Sequence, residues 1–184
     1  MQKSLQTFQF KENETIASVG ASSGVWEIWF ASQVDNLTFY IQDIDEQNCN
    51  QEEIDYGVQY YEKLLKKKIN GKFIPIIGTQ KKTNLPQNTF DKVLIINSLH
   101  EFSSPSLILR DILNILKKDG ILFIEEVIGM SVGEIHEGCG KRLFTKEELS
   151  KLLTQIGFEV IETFSKNNNN NVFVFKCSLG NMIN

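Results

Sequence analysis

The segment from Thr15 to Trp29 constrains the fold most, because it predicts a strand, a tight turn and a helix in immediate succession. The apolar run 15–19 ends at Gly20, Gly24 follows four residues later, and an amphipathic helical pattern begins at once. Glycine lets the backbone approach a ligand where a Cβ atom would collide. In open α/β sheets, ligands bind at the carboxyl ends of the strands, where this turn lies. We therefore expect the turn to form part of a ligand site.

Length and composition favour a single soluble domain over residues 1–184. A chain of this size buries roughly 70% of its unfolded surface, which is core enough without disulfides. The net charge of −4 argues against nucleic acid as the main partner, and no apolar run approaches the ~18 residues of a membrane helix. The first residues lack the apolar core of a signal peptide. Three cysteines without paired spacing are typical of reduced thiols, so we expect a cytoplasmic protein with no membrane partner.

Predicted strands and helices alternate along most of the chain. Strands are expected over 15–19, 37–42, 72–77, 92–97, 121–125, 158–164 and 172–177, and helices over 24–33, 52–68, 105–118 and 145–156. Gly71 is expected to stop the second helix, Thr145 to open the last helix with a capping box, and the five asparagines 167–171 to form a solvated hairpin loop. The continuous apolar run 93–96 indicates a strand covered on both faces. This order predicts a parallel sheet with one antiparallel strand near an edge.

Further landmarks follow the glycine turn in a fixed order. They are Asp43-Ile44-Asp45, Leu85-Pro86 with Phe90-Asp91, the segment 97–101 (Asn-Ser-Leu-His-Glu), the segment 115–125 and the ending 144–158. Over about residues 14–177, this ordered set resembles the class I S-adenosylmethionine-dependent methyltransferases. The resemblance implies an α/β fold with a doubly wound, Rossmann-like sheet of seven strands in the order 3-2-1-4-5-7-6, with strand 7 antiparallel. It also implies S-adenosylmethionine as the cofactor.

The resemblance places the cofactor at the turn after the first strand and at the ends of its neighbours. The residues that it implies for cofactor binding are Gly20, Ala21, Ser22, Gly24, Asp43, Ile44, Thr79 and Asn97. S-adenosylmethionine carries no phosphate, so the turn need not bind an anion. The carboxylate of Asp43 is placed to accept both ribose hydroxyls, and its alternative role is to cap a turn.

The sequence also departs from the family pattern. Ser18 replaces an acidic residue, Ser22 replaces the middle glycine, and Thr79 or Gln80 stands where an acidic residue reads adenine. These changes leave open a non-catalytic or weakly binding module of the same fold as the alternative to an enzyme. A nicotinamide-dependent protein is disfavoured, because the Gly-x-Gly-x-x-Gly fingerprint is absent and Trp26 occupies a position where that class needs glycine.

The two histidines, His100 and His136, both follow strands at the ligand edge of the predicted sheet. His100 is the candidate catalytic residue, as a base for a hydroxyl acceptor or as an acceptor contact, and a packed structural histidine is its alternative. His136 and Cys139 have ligand-like spacing, but zinc needs three or four ligands and no second pair is visible, so we expect no metal.

The function expected from these features is methyl transfer from S-adenosylmethionine to a small-molecule acceptor. The chain offers little length to cover a larger substrate: about fourteen residues before the first strand and the loop 128–144. That loop contains four glycines, and we expect it to be a mobile lid. The sequence identifies neither the acceptor nor an oligomeric state.

Overall fold

The computed structural model describes residues 1–167 and 170–180. Its helices are α1 (Gln2–Phe8), α2 (Val25–Ala31), α3 (Gln51–Leu65), α4 (Pro105–Ile115) and α5 (Lys146–Ile156), with a 3₁₀ turn at Leu99–Glu101. Its strands are β1 (Thr15–Val19), β2 (Leu37–Asp43), β3 (Gly71–Ile77), β4 (Phe90–Ile96), β5 (Leu116–Val127), β6 (Phe158–Asn167) and β7 (Asn170–Leu179). The helix α1 was not predicted from the sequence.

The strands form one seven-stranded sheet in the order β3-β2-β1-β4-β5-β7-β6. The five strands β1 to β5 pair in parallel, and β7 runs antiparallel to both β5 and β6. This confirms the predicted fold class and strand order. The order reverses direction between β1 and β4, so the crevice at their carboxyl ends is the place where such sheets bind ligands. At one edge of the sheet, β3 contains Pro75.

Each face of the sheet carries its own hydrophobic core. Ala17, Val93 and Ile95 pack on one face against residues of α4 and α5, while Ile16 and Leu94 pack on the other against α2, α3 and α1. Because successive residues of a strand point to opposite faces, burial on both faces requires the unbroken apolar run 93–96. The α1 helix joins the second core through Phe8, which is 1% exposed.

Several element boundaries differ from the sequence prediction: α4, for example, ends at Ile115 rather than at 118 because β5 begins at the next residue. Two of the differences have identifiable local reasons. Helix α3 ends at Leu65, because the next residue, Lys66, has a left-handed backbone (φ 52), and Gly71 is instead the first residue of β3. Strand β5 begins at Leu116 rather than at 121, with an irregularity where its pairing passes from Phe90↔Leu116 to Lys92↔Ile121. Gly120 lies in this irregularity, and a Cβ there would be 2.8 Å from the carbonyl oxygen of Phe90.

The remaining local predictions concern the C-terminal third. The capping box of α5 is confirmed: Thr145 accepts a hydrogen bond from the Glu148 amide, and Glu148 Oε2 accepts one from the Thr145 amide at 2.9 Å. Strands β6 and β7 extend to Asn167 and from Asn170, so strand replaces part of the expected asparagine loop, and residues 168 and 169 lie outside the described residues. No helix in the described ranges is long and apolar enough to cross a membrane.

Candidate active site

The turn between β1 and α2 has an alternating left-handed backbone. Gly20, Ser22 and Gly24 have φ angles of 72°, 51° and 72°. The amides of Gly20 and Ala21 both donate to the carbonyl oxygen of Gln42, at 2.8 and 3.1 Å, which fixes the turn to the end of β2. Ser22, with its φ of 51°, lies in the left-handed region, which glycine reaches without strain and other residues reach at a cost of roughly 1–2 kcal/mol.

Gly20 is required by close packing with the segment that follows β4. A Cβ atom at Gly20 would lie 2.7 Å from Ser98 Oγ and 2.9 Å from Phe102 Cε1. Ser98 Oγ donates a hydrogen bond to the carbonyl oxygen of Val19 at 3.3 Å. The glycine thus lets the chain after β4 approach the turn after β1, and the two segments together form the crevice.

Asp43 ties the turns after β1 and β2 to each other. Its Oδ2 accepts from the Ser22 amide at 2.8 Å, and its Oδ1 accepts from the amides of Ile44 and Asp45 at 2.7 and 3.1 Å. The turn-capping role is therefore present in the structure. A carboxylate offers about four lone-pair sites, so three backbone bonds leave it room to accept a further donor.

Two hollows meet at Gly20, which lies in the wall of both. The first has about 380 Å³ of space when its open mouth is included. Its walls are Val19, Gly20, Gln42, Asp43, Ile44, Thr79, Gln80, Phe102, Ser103 and Ile108. The second has about 470 Å³ with its open mouth, and its walls are Ser18, Gly20, Ala21, Ser22, Trp26, Glu27 and Ile96. Together they form a crevice with room on both sides of the glycine turn.

Most of the residues predicted for the cofactor lie in these walls. Gly24 instead begins α2 behind the turn, where a Cβ would be 3.0 Å from Ile41. Asn97 is exposed at the end of β4, with a left-handed backbone, and lies outside both walls. The hydroxyl of Thr79 accepts from the amides of Lys81 and Lys82, at 3.2 and 3.0 Å, so it stabilises its own turn.

Glu27 is a site residue that the sequence analysis missed. It is 2% exposed, and its Oε1 accepts a hydrogen bond from Ser18 Oγ at 2.6 Å. Burial raises the pKa of Glu27 to about 7, against the lowering effect of the Ser18 hydrogen bond. The available signal was that Glu27 is the only polar residue of α2 (Val-Trp-Glu-Ile-Trp-Phe-Ala). An acidic side chain thus reaches Ser18 from the helix, although the strand itself carries none there.

Gln42 and Phe102 also lie in the walls without having been predicted. Gln42 is 3% exposed at the end of β2, and Phe102 follows the 3₁₀ turn. An amide beside a carboxylate and an aromatic ring gives the first hollow both polar and apolar surface. Neither residue stands out in the sequence, since their positions depend on how β2 and β4 each pair with β1.

His100 is fully buried and paired with Glu126 of β5. Its Nδ1 lies 2.7 Å from Glu126 Oε1, and both side chains are 0% exposed. The Glu126 carboxylate raises the pKa of His100 to about 9, against the opposing effect of desolvation. The ring lies outside the walls of both hollows and contacts His136, with 5.0 Å between the ring centroids.

Cys139 lies near both histidines: it shares the loop 128–144 with His136, whereas His100 belongs to the 3₁₀ turn after β4. His136 Nδ1 lies 3.2 Å from Cys139 Sγ, and one ligand atom from each of His100, His136 and Cys139 fits within 4.8 Å. From the sequence, only the local pair His136 and Cys139 could be recognised. His100 approaches that pair through the tertiary fold, for which the sequence gives no spacing signal.

The first 163 residues match a family model described as a methyltransferase domain. The chain belongs to this methyltransferase family. The cofactor that the family implies is S-adenosylmethionine, as the sequence resemblance predicted. None of the curated proteins matches the chain.

Solved structures share the methyltransferase fold at low sequence identity. A SAM-dependent methyltransferase from Aquifex aeolicus has a TM-score of 0.74 and 20% identity over 96% of this chain and 87% of its own. A SAM-dependent methyltransferase from Methanosarcina mazei has a TM-score of 0.71 and 16% identity over 96% and 97%. The [4+2]-cyclase SpnF has a TM-score of 0.64 and 23% identity over 89% and 59%. This fold therefore also occurs in a protein named for a different reaction, so the site must supply the argument for function.

Proposed function

We propose that this methyltransferase-family protein transfers a methyl group from S-adenosylmethionine to a small-molecule acceptor. The observation that carries the proposal is the crevice on both sides of Gly20, with Asp43 on one side and Glu27 on the other. An elongated cofactor with a nucleoside at one end and an amino-acid tail at the other needs such a two-part crevice.

The first hollow fits the nucleoside part. Asp43 would accept the ribose hydroxyls with its remaining lone pair, and the apolar walls would contact the adenine. Ile44 is 54% exposed at this site, as expected for a side chain that a ligand covers. Thr79 and Gln80 remain the proposed adenine contacts, through uncharged groups.

The second hollow fits the amino-acid part. Ala21 and Ser22 would contact it with their backbone, and Gly24 would hold that backbone in place. The tail of S-adenosylmethionine carries an ammonium group and a carboxylate on its α-carbon, and the carboxyl of Glu27 can ionise to pair with that ammonium group in this hollow. Asn97 remains a proposed contact that has no support from the hollow walls.

The bound cofactor supplies an electrophilic methyl group on a good leaving group. The task of the protein is therefore mainly to hold the acceptor in line with that methyl group and to exclude water, and such positioning supplies most of the rate enhancement. The role of His100 as a base or acceptor contact stays a prediction. The raised pKa of His100 does not favour a role as base. A histidine with a pKa near 9 is protonated at neutral pH, whereas a base must be unprotonated.

A small acceptor is proposed because few segments are available to cover the site. Among the described residues, α1 and the loop 128–144 are the segments that we propose to cover the site. A larger acceptor would need a more extensive contact surface than these short segments offer.

Calorimetry with S-adenosylhomocysteine tests the cofactor site. We expect the wild-type protein to bind it, and Asp43→Asn to weaken binding by roughly 1–3 kcal/mol, since the variant loses a charged acceptor. The matched control is Asp45→Asn, which removes a neighbouring exposed carboxylate that bonds only within its own turn. Equal losses in both variants, or none in Asp43→Asn with an unchanged melting temperature, would refute the assignment of Asp43.

The second candidate function is a module of this fold that has lost cofactor binding. Ser22 supports it through its left-handed backbone, as does the hydroxyl of Thr79, which is engaged in its own turn. If calorimetry detects no heat of binding for either S-adenosylmethionine or S-adenosylhomocysteine while the protein melts cooperatively, this second candidate replaces the first.

A further inference from the structure

We propose that His100, His136 and Cys139 form a zinc-binding site. Their ligand atoms already lie within 4.8 Å of one another. Zinc binds nitrogen at about 2.0–2.1 Å and sulfur at about 2.3 Å, so tetrahedral ligands are roughly 3.3–3.6 Å apart. His136 Nδ1 and Cys139 Sγ are at 3.2 Å, and a contraction of about 1 Å in the widest separation would complete the geometry.

The buried ring of His100 supplies the independent reason to expect a ligand. Among the described residues, its Nε2 has no hydrogen-bond partner, although the side chain is 0% exposed. An unsatisfied buried polar atom costs roughly 1–3 kcal/mol, so such atoms are rare unless something binds them. Since Nδ1 is held by Glu126, Nε2 is the nitrogen that is free to face His136 and Cys139.

Glu126 provides the support that metal-binding histidines ordinarily have. Its carboxylate lies 2.7 Å from His100 Nδ1 and also accepts from the backbone amide of Val127 at 3.0 Å. A carboxylate on the second nitrogen fixes the ring orientation and leaves Nε2 to bind the metal, which would displace the proton that Nε2 carries when His100 is charged. The carboxylate–histidine part of a carboxylate–histidine–metal arrangement is thus in place before any ion binds.

The other two ligands are presented by a short hairpin. Ile135 and Arg142 form a β-bridge, and His136 bonds through its backbone to Lys141 and Gly140, both at 2.8 Å. Gly140 has φ 67°, which closes the turn. This hairpin holds His136 and Cys139 on the same side, above the buried His100. Two imidazoles and a thiolate are ligands that suit zinc better than magnesium or calcium.

A fourth ligand is available at the exposed side. Glu101 Oε1 lies 3.8 Å from His100 Nε2, and its side chain is 53% exposed. The carboxylate or a water molecule would complete the tetrahedron. The ion would then fasten the hairpin of the loop 128–144 to the 3₁₀ turn, which directly precedes Phe102 in the first hollow.

Zinc titration of reduced, metal-free protein tests this site without any cofactor. With a chromogenic chelator as competitor, we expect one zinc ion per chain. Cobalt as a substitute should give a thiolate-to-metal charge-transfer band.

Cys139→Ser and His136→Gln should each weaken zinc binding at least 10-fold, and Cys139→Ser should remove the charge-transfer band. Glu126→Gln should weaken binding by roughly 10–100-fold, as is usual for a residue that supports a ligand. Glu137→Gln, an exposed change in the same hairpin, is the matched control and should bind like the wild type.

Two results would overturn the proposal: a wild-type stoichiometry of zero, or wild-type affinity retained in both Cys139→Ser and His136→Gln. These two positions are at least partly exposed, so the test does not depend on whether a His100 variant folds. Hydrogen exchange gives a second readout, because zinc should protect the amides of residues 134–143 in the wild type and leave them unchanged in Cys139→Ser. Calorimetry with S-adenosylhomocysteine on Cys139→Ser separates this site from the cofactor site, since loss of zinc alone should leave that affinity measurable.

Discussion

Replacing Glu27 by glutamine should change the pH dependence of stability in a calculable way. Glu27 is 2% exposed, and its pKa lies near 7 in the folded protein, against an ordinary value of 4.5. A raised carboxyl pKa means that the folded state holds the proton more tightly than the unfolded chain. The contribution of Glu27 to stability is therefore fully present below pH 4.5 and is lost as the pH rises from 4.5 to about 7. At 1.36 kcal/mol per pKa unit, the ionised Glu27 lowers the free energy of unfolding by about 3 kcal/mol.

Glutamine has the shape of the protonated side chain and cannot ionise. Glu27→Gln should therefore match the wild type at about pH 4 and be more stable by about 2–3 kcal/mol at about pH 8. If an amide hydrogen of the glutamine lacks a partner, the variant loses about 1 kcal/mol of stability at both pH values. The change in the stability difference between about pH 4 and about pH 8 is therefore the quantity that tests the prediction. Urea unfolding of both proteins across this range measures the difference, in which the contributions of all other titrating groups cancel.

The matched control is Glu12→Gln, at an exposed position, which should shift the stability curve by little at any pH. A stability difference between Glu27→Gln and the wild type that stays constant from acid to alkaline pH would contradict this expectation. It would mean that Glu27 ionises in the folded protein as readily as in the unfolded chain.

Three further predictions concern the turn, the last helix and the loop. Ser22→Gly should leave the free energy of unfolding unchanged or raise it by up to about 1 kcal/mol, because relief of the left-handed strain exceeds or balances the added chain entropy; a clear loss in urea unfolding would contradict this. Thr145→Ala should lower the free energy of unfolding by roughly 0.5–2 kcal/mol through loss of the cap, whereas Thr154→Ala, at an exposed position of the same helix, serves as its control. The lid proposal for the loop 128–144 predicts slower amide exchange on adding S-adenosylhomocysteine, measured by mass spectrometry; protection equal to that of the sheet before any addition would indicate a rigid loop.

Much of the fold follows from local patterns in the sequence. The strand Thr15–Val19 was predicted with its observed bounds, because an apolar run followed by glycine has few alternatives. The start of β5 was missed because its first residues pair with Phe90 only through an irregularity that depends on the neighbouring strand. The helix α1 was missed because it is short and its stability comes from Phe8 packing in the core rather than from its own pattern.

In the candidate site, too, features that depend on a local sequence pattern could be predicted, whereas features that depend on tertiary packing could not. The positions of Gly20 and Asp43 at the ends of β1 and β2 could be predicted from the strand patterns that lead to them, and their roles in binding stay predictions. Glu27 was missed, because its burial and its bond to Ser18 arise from the packing of α2 on the sheet, and its isolation in an apolar helix was the one local signal. The approach of His100 to the His136 and Cys139 pair also depends on tertiary structure, as the hairpin and the 3₁₀ turn meet only after the sheet has formed.

The proline at the edge of the sheet bears on how copies of this chain can associate. Among the strands that the structure describes, β3 pairs only with β2, which leaves its other side open to a further strand. Pro75, in the middle of β3, has no N–H to donate, and prolines in edge strands prevent a continuous ladder with another chain. The sheet is thereby protected from growing by edge-to-edge addition at β3, and self-association through this edge would have to use side chains rather than backbone pairing.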